Sequence, residues 1–161
     1  NIMSGRHIKS KQKWYNGIIH TPAYFKDEKE NWLKVGELME FFGLSEYATT
    51  PAGDLSYGIQ RRIEMARALA AEPELLILDE PAAGLNENET IELTKMIRKI
   101  QAMGVTIMMI EHDMEMAMSL SEYITVINFG AKISAGIPSF VQDDPVVIEA
   151  YIGSDEEDDH A

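Results

Sequence analysis

Two acids, Asp79 and Glu80, close the apolar run Leu75-Leu76-Ile77-Leu78, and a second apolar run, Val105 to Ile110, closes on Glu111-His112-Asp113. A short apolar run that ends in charge reads as a buried parallel strand presenting that charge at the carboxyl edge of a sheet. Open α/β sheets take their ligands at that edge. Neighbouring strand residues point to opposite sides, so Glu80 suits polarising a water while Asp79 faces elsewhere. Upstream, Ser56-Tyr57-Gly58 stands just before a helical stretch. The first amides of a helix are unpaired and carry partial positive charge, and such an end binds phosphate. Each feature also has a plain reading: a core strand with an acidic turn, a histidine satisfied within its turn. A metal site built from Glu111, His112 and Asp113 is the minor alternative, because adjacent residues point apart and coordinate poorly.

The elements that must hold these residues follow from periodicity and punctuation. Residues 27–42 read as a helix with Trp32, Val35, Met39 and Phe42 inward, Asp27 and Glu28 near its start and Gly43 at its C-terminal cap. A short turn of helix, about Ser45 to Ala48, leads through Pro51 and Gly53 to the helix of residues 58–71, with Ile63, Ala66, Leu69 and Ala70 on one face. Asn86 and Glu89 have the spacing of a capping box for a helix running to about Met103, with Leu93, Ile97 and Ile100 inward and Gly104 ending it. Strand 105–110, helix 114–121 and strand 123–128 come next. Gly130 then turns the chain into Ala131–Ser134, an expected antiparallel partner. A last helix is expected from Pro145 to Ile152. Residues 1–26 read as a surface loop and short helix whose Trp14, Tyr15, Tyr24 and Phe25 dock on the next helix.

The order of these motifs resembles the second half of an ATP-binding-cassette (ABC) ATPase: signature loop Leu55-Ser56-Tyr57-Gly58, Walker B strand Leu75–Glu80, D-loop Ala83-Gly84-Leu85-Asn86, and switch histidine His112. The finer spelling, with Pro81-Ala82-Ala83-Gly84-Leu85-Asn86 and Glu111-His112-Asp113-Met114, is similar to the first of the two ATPase subunits of branched-chain amino-acid importers. The similarity runs from about Asn1 to Gly153. It implies an α/β fold, a partial P-loop NTPase comprising the helical subdomain (residues 1–56) and the C-terminal half of the catalytic subdomain (57–153), followed by an acidic disordered tail (154–161). It implies ATP and Mg²⁺ as cofactors, with Asp79 holding the metal, Glu80 and His112 catalytic, and Ser56, Tyr57, Gly58, Gln60 and Asn86 at the nucleotide. The implied partners are a second ATPase subunit, identical or related, two transmembrane permease subunits at the cytoplasmic face of the inner membrane, and, indirectly, an extracytoplasmic amino-acid-binding protein.

Three departures qualify the resemblance. The family's usual double glycine is Tyr57-Gly58, and the glutamine that usually follows is Ile59, leaving Gln60 to keep a polar contact. No Gly-x-x-x-x-Gly-Lys-Ser/Thr stretch occurs in the 161 residues, so ATP is not expected to bind in cis. The sequence opens on Asn1 and is expected to be the C-terminal part of a longer ATPase, inactive by itself. A non-transport regulatory cassette protein is one alternative, although a second cassette and basic linkers are not seen. An interaction module without activity is the other.

Composition agrees with one ordinary globular domain: 45% hydrophobic and 25% charged residues. The formal net charge of −13 argues against nucleic acid as a main partner, and the absence of cysteine rules out a disulfide framework. Of the ten methionines, seven fall between Met96 and Met118, where core packing is the better reading than a soft-metal site.

Overall fold

The computed structural model describes residues 1–7 and 22–158, so the docking expected of Trp14 and Tyr15 lies outside the described residues. The chain divides into two compact units, Asn1–Met108 and Met109–Ala161.

In the first unit, α1 (Ile2–Arg6) lies against α2 (Pro22–Phe41) and α3 (Tyr57–Leu69). Gly5 makes the closest approach: a Cβ there would sit 2.0 Å from the Arg67 carbonyl oxygen, so no larger residue fits without moving backbone. Arg6 then ties the three helices together. Its Nε donates to Asn31 Oδ1 at 3.0 Å, and one terminal nitrogen reaches the Ala70 carbonyl at 3.2 Å and Glu72 Oε1 at 2.6 Å. A cation on the last carbonyls of α3 also suits that helix's negative end.

Helix α2 starts earlier than Asp27. Pro22 opens it, as a residue with fixed φ and no amide hydrogen can in a first turn, and Tyr24 and Phe25 belong to this helix instead of docking on it. Its buried face is Asn31, Val35, Leu38 and Phe42, whereas Trp32, expected inward, is 59% exposed. The shift is a rotation of the apolar stripe by one position, with Asn31 made acceptable inside by its bond to Arg6. Gly43 closes the helix at φ +64°, as its position required.

Strand β1 (Leu75–Asp79) and strand β2 (Thr106–Ile110) form a two-stranded sheet. The Thr106 amide donates to the Glu74 carbonyl at 2.9 Å, so the strands start side by side and run parallel, joined by α4 (Glu87–Ala102). The capping box is formed: Asn86 Oδ1 accepts from the Glu89 amide and Glu89 Oε2 from the Asn86 amide, both at 3.0 Å. Leu93, Met96, Ile97 and Ile100 are buried, and Gly104 turns the chain at φ +86°. β1 is not buried on both faces as its composition implied. Leu76 and Leu78 are inside, but Leu75 and Ile77 are 49% and 59% exposed, because alternate side chains face opposite sides and only one side is covered within the chain.

The second unit contains α5 (Met114–Leu120), the antiparallel pair β3 (Ile124–Asn128) and β4 (Ala131–Gly136), then α6 (Pro138–Gln142) and α7 (Pro145–Asp158). The register pairs Ile124 with Gly136 and Asn128 with Ala131, with a bulge at Val126/Ile127. Helix α6 was not read from the sequence. α7 is longer than expected and takes in residues assigned to the tail. Buried Ser134 donates to Asp144 Oδ2 at 2.6 Å, and Asp144 Oδ1 accepts from the Val146 amide at 3.0 Å, so one carboxylate fastens the start of α7 to β4. Those two bonds, the hydroxyl first, hold the Asp144 carboxyl below its ordinary pKa.

Strands β2 and β3 belong to separate sheets. The outer edge of β2 is apolar, uncharged and free of proline, and each unpaired hydrogen-bonding group there costs on the order of 1–3 kcal/mol when desolvated. The chain is therefore expected to self-associate through this edge as concentration rises. Light scattering should show dimers or larger species, with amide exchange at residues 106–110 slowing as they form. A monomer at high concentration whose amides there already exchange slowly would contradict this.

Candidate active site

The first unit assembles the signature, Walker B and D-loop residues. Ser56 stands before α3 in an extended conformation (φ −60°, ψ 155°) and its side chain makes no capping bond, so neither hydroxyl nor first-turn amides are occupied by a local cap. Gln60 turns inward: its Nε2 donates to the Leu55 carbonyl at 2.9 Å. That bond ties the side chain to the main chain of the signature loop.

Tyr57, the departure from the usual double glycine, has a specific place. A Cβ on Gly84 would meet Tyr57 Cε1 at 3.2 Å, and Gly84 has φ +77°. The signature tyrosine thus lies against the main chain of the D-loop, and only a glycine serves at position 84. Arg61, one turn along α3, stacks over the Tyr57 ring at 4.8 Å from its centroid and also bonds its hydroxyl. Glu64 accepts from Arg61 at 2.8 Å, the main reason that the guanidinium is held still more firmly protonated. Gly58 meets the first turn of α4, since a Cβ there would be 2.7 Å from Glu89 Oε1. The signature end therefore packs against the D-loop at Tyr57–Gly84 and against the start of α4 at Gly58–Glu89. The Tyr57–Arg61 pair was legible as an i,i+4 spacing. The contact with Gly84 was not, because nothing local encodes it.

Asp79 ends β1 in the exposed row with Leu75 and Ile77, and makes no ion pair among the described residues. Glu80 follows with φ +42°, a left-handed conformation that costs a non-glycine residue on the order of 1–3 kcal/mol. That angle takes the chain out of the strand at once. The turn is closed by Ala83 N–H to the Glu80 carbonyl at 3.1 Å and Leu85 N–H to the Ala82 carbonyl at 3.0 Å. Both carboxylates are exposed. Among the described residues no three His, Cys, Asp or Glu side chains gather as a metal cage. A lone exposed carboxylate fits Mg²⁺ nonetheless, since that ion keeps most of its ligands as water and phosphate oxygens.

His112 lies in the second unit. Its ring is 75% exposed, while the Glu111 side chain is 1% exposed and accepts from the His112 and Asp113 amides at 3.2 and 3.4 Å. Asp113 caps α5 by accepting from the Met116 amide at 3.0 Å. The three residues do not form a metal site. Glu111 and Asp113 both accept from backbone amides, and Glu111 Oε2 also lies 3.9 Å from His112 Nδ1.

The α/β fold matches part of the nucleotide-binding domain of ABC ATPases, and the chain belongs to the ABC transporter family, whose model matches residues 4–83. It is 42% identical over 154 residues to the high-affinity branched-chain amino acid transport ATP-binding protein BraF of Pseudomonas aeruginosa, covering 95% of this chain and 60% of that protein. It is 39% identical, with the same coverage, to the LivG protein of Escherichia coli K12, which carries the same description. An ATP-binding cassette of an ABC transporter, solved in its ADP conformation, superposes with a TM-score of 0.73 at 26% identity, covering 94% of this chain and 62% of that one. The chain spans about 60% of the length of the curated relatives it matches.

Proposed function

We propose that this chain works within a complete ABC ATPase that drives an importer of branched-chain amino acids or related amino acids and amides. The names of its relatives support the substrate class. In this reading residues 1–56 form the helical subdomain that faces two permease subunits at the cytoplasmic side of the inner membrane. Residues 57–153 form the latter part of the catalytic subdomain, and residues 154–161 an acidic tail. Among the described residues no helix is long and apolar enough to cross a membrane, so membrane attachment is assigned to those partners. A binding protein outside the membrane delivers the substrate to them.

Phosphoryl transfer to water is mostly positioning and charge stabilisation. Ser56, Tyr57 and Gly58, with the first amides of α3, close over the terminal phosphate of ATP held by a second ATPase subunit, and Asn86 sits at the same interface. Asp79 would hold Mg²⁺, and the ion would supply positive charge to offset that of the phosphate oxygens. Glu80 orients and deprotonates the attacking water, and His112 contacts the terminal phosphate and aligns that water. The observation that carries the reading is the interlock of the signature end with the turn that follows Asp79 and Glu80. Closure over phosphate at one reaches the carboxylates through the other. ATP turnover by the complete ATPase, with Glu80 present and replaced, tests it: a wild-type rate without this carboxylate would overturn the assignment.

A further inference from the structure

The turn that carries His112 receives a bond from far along the chain. Tyr151, on α7, donates its hydroxyl to the His112 carbonyl at 3.2 Å, across 39 residues. On the other side of the same residue, the buried Glu111 carboxylate accepts the His112 amide at 3.2 Å. The backbone of His112 is thus fixed at both its N–H and its C=O, while the imidazole stays exposed.

We infer that Tyr151 is a positioning residue for the histidine switch, setting the orientation of the His112 backbone, and through it the ring, from the C-terminal helix. This rests on the reading of His112 as the residue that meets the terminal phosphate. Two further observations support the inference. Burial first, and then the Asp113 carboxylate, raise the Tyr151 pKa above its ordinary value, so a hydroxyl already protonated at neutral pH stays a donor into more alkaline solution. Next to this bond an apolar cleft of about 600 Å³, lined by Met114, Met118, Val147, Ile148 and Tyr151, separates α5 from α7. Close packing therefore does not fix the histidine turn against α7 at that level. The hydroxyl–carbonyl bond crosses beside that cleft and joins α7 to the histidine turn.

The test uses the complete ATPase. Tyr151→Phe keeps the ring and removes the hydroxyl. Its kcat should fall about tenfold with KM for ATP unchanged, the pattern of an interaction that matters only in the transition state. The melting temperature should stay within a few degrees of wild type, and Tyr151→Phe should add no further loss once His112→Ala is present. In carbon-13 spectra of the 161-residue chain, the His112 carbonyl resonance should shift in Tyr151→Phe. If His112→Ala slows turnover to a measurable residual rate while Tyr151→Phe turns over at the wild-type rate, the inference is wrong and the reading of His112 stands. An undiminished effect of Tyr151→Phe in the His112→Ala background would also overturn it, since the tyrosine would then act elsewhere. Wild-type turnover in His112→Ala alone would remove the reading of His112 itself.

Discussion

Glu80→Gln in the complete ATPase is expected to bind ATP as well as wild type and to turn it over at least about a hundredfold more slowly. The substitution keeps size and hydrogen-bonding shape but removes the charge that draws a proton from water. Losing one transition-state contact of this kind costs about a hundredfold to a thousandfold. The structure adds a reason to expect the upper part of that range. Glu80 sits at φ +42°, a conformation that a non-glycine residue adopts only when its surroundings impose it. A carboxylate at a strained strand end, exposed and followed by a hydrogen-bonded turn, is preorganised for one task. Steady-state kinetics with nucleotide binding measured separately decide the matter, and an unchanged rate would reassign the catalytic carboxylate.

Gly58→Val is expected to fail twice. The first Cβ atom would lie 2.7 Å from Glu89 Oε1, and that carboxylate is not loose, since it accepts the Asn86 amide in the capping box at 3.0 Å. Pushing it aside breaks the box and should cost about 0.5–2 kcal/mol of stability, visible as a lowered denaturation midpoint of the 161-residue chain. The isopropyl group would also stand before the first amides of α3, where the phosphate of the opposing subunit approaches. Turnover by the complete ATPase should fall by about a hundredfold or more. A stable Gly58→Val protein with normal turnover would mean that neither contact matters.

Much of this architecture is written in short stretches of sequence because its causes are local. Asn86 and Glu89 meet through their own backbone amides, and Gly43, Gly104 and Gly130 mark places where the chain takes positive φ. The apolar run before Asp79 marks β1 in the sequence, although the strand is paired by β2. What was misread depends on distant partners. Asn31 is inside and Trp32 outside because Arg6, 25 residues away, supplies the buried amide with a donor. The exposed face of β1 follows from which layers the chain contains, a property no run of five residues reports. At the candidate site the residue types were legible from motif and spacing. The fit of Tyr57 on Gly84, the inward turn of Gln60 and the bond from Tyr151 to His112 were not, since each joins segments through space.

The central claim is that the signature end described here closes over ATP held by another ATPase subunit, with Glu80 then triggering hydrolysis. Sedimentation of the complete Glu80→Gln ATPase, alone and mixed with its related subunit, measures this directly. Without nucleotide the protein should sediment as separate subunits. With ATP and Mg²⁺ it should form a stable dimer, with another copy or with the related subunit, and adding Gly58→Val should return it to separate subunits. Nucleotide binding with no change in sedimentation, in either mixture, would contradict the account.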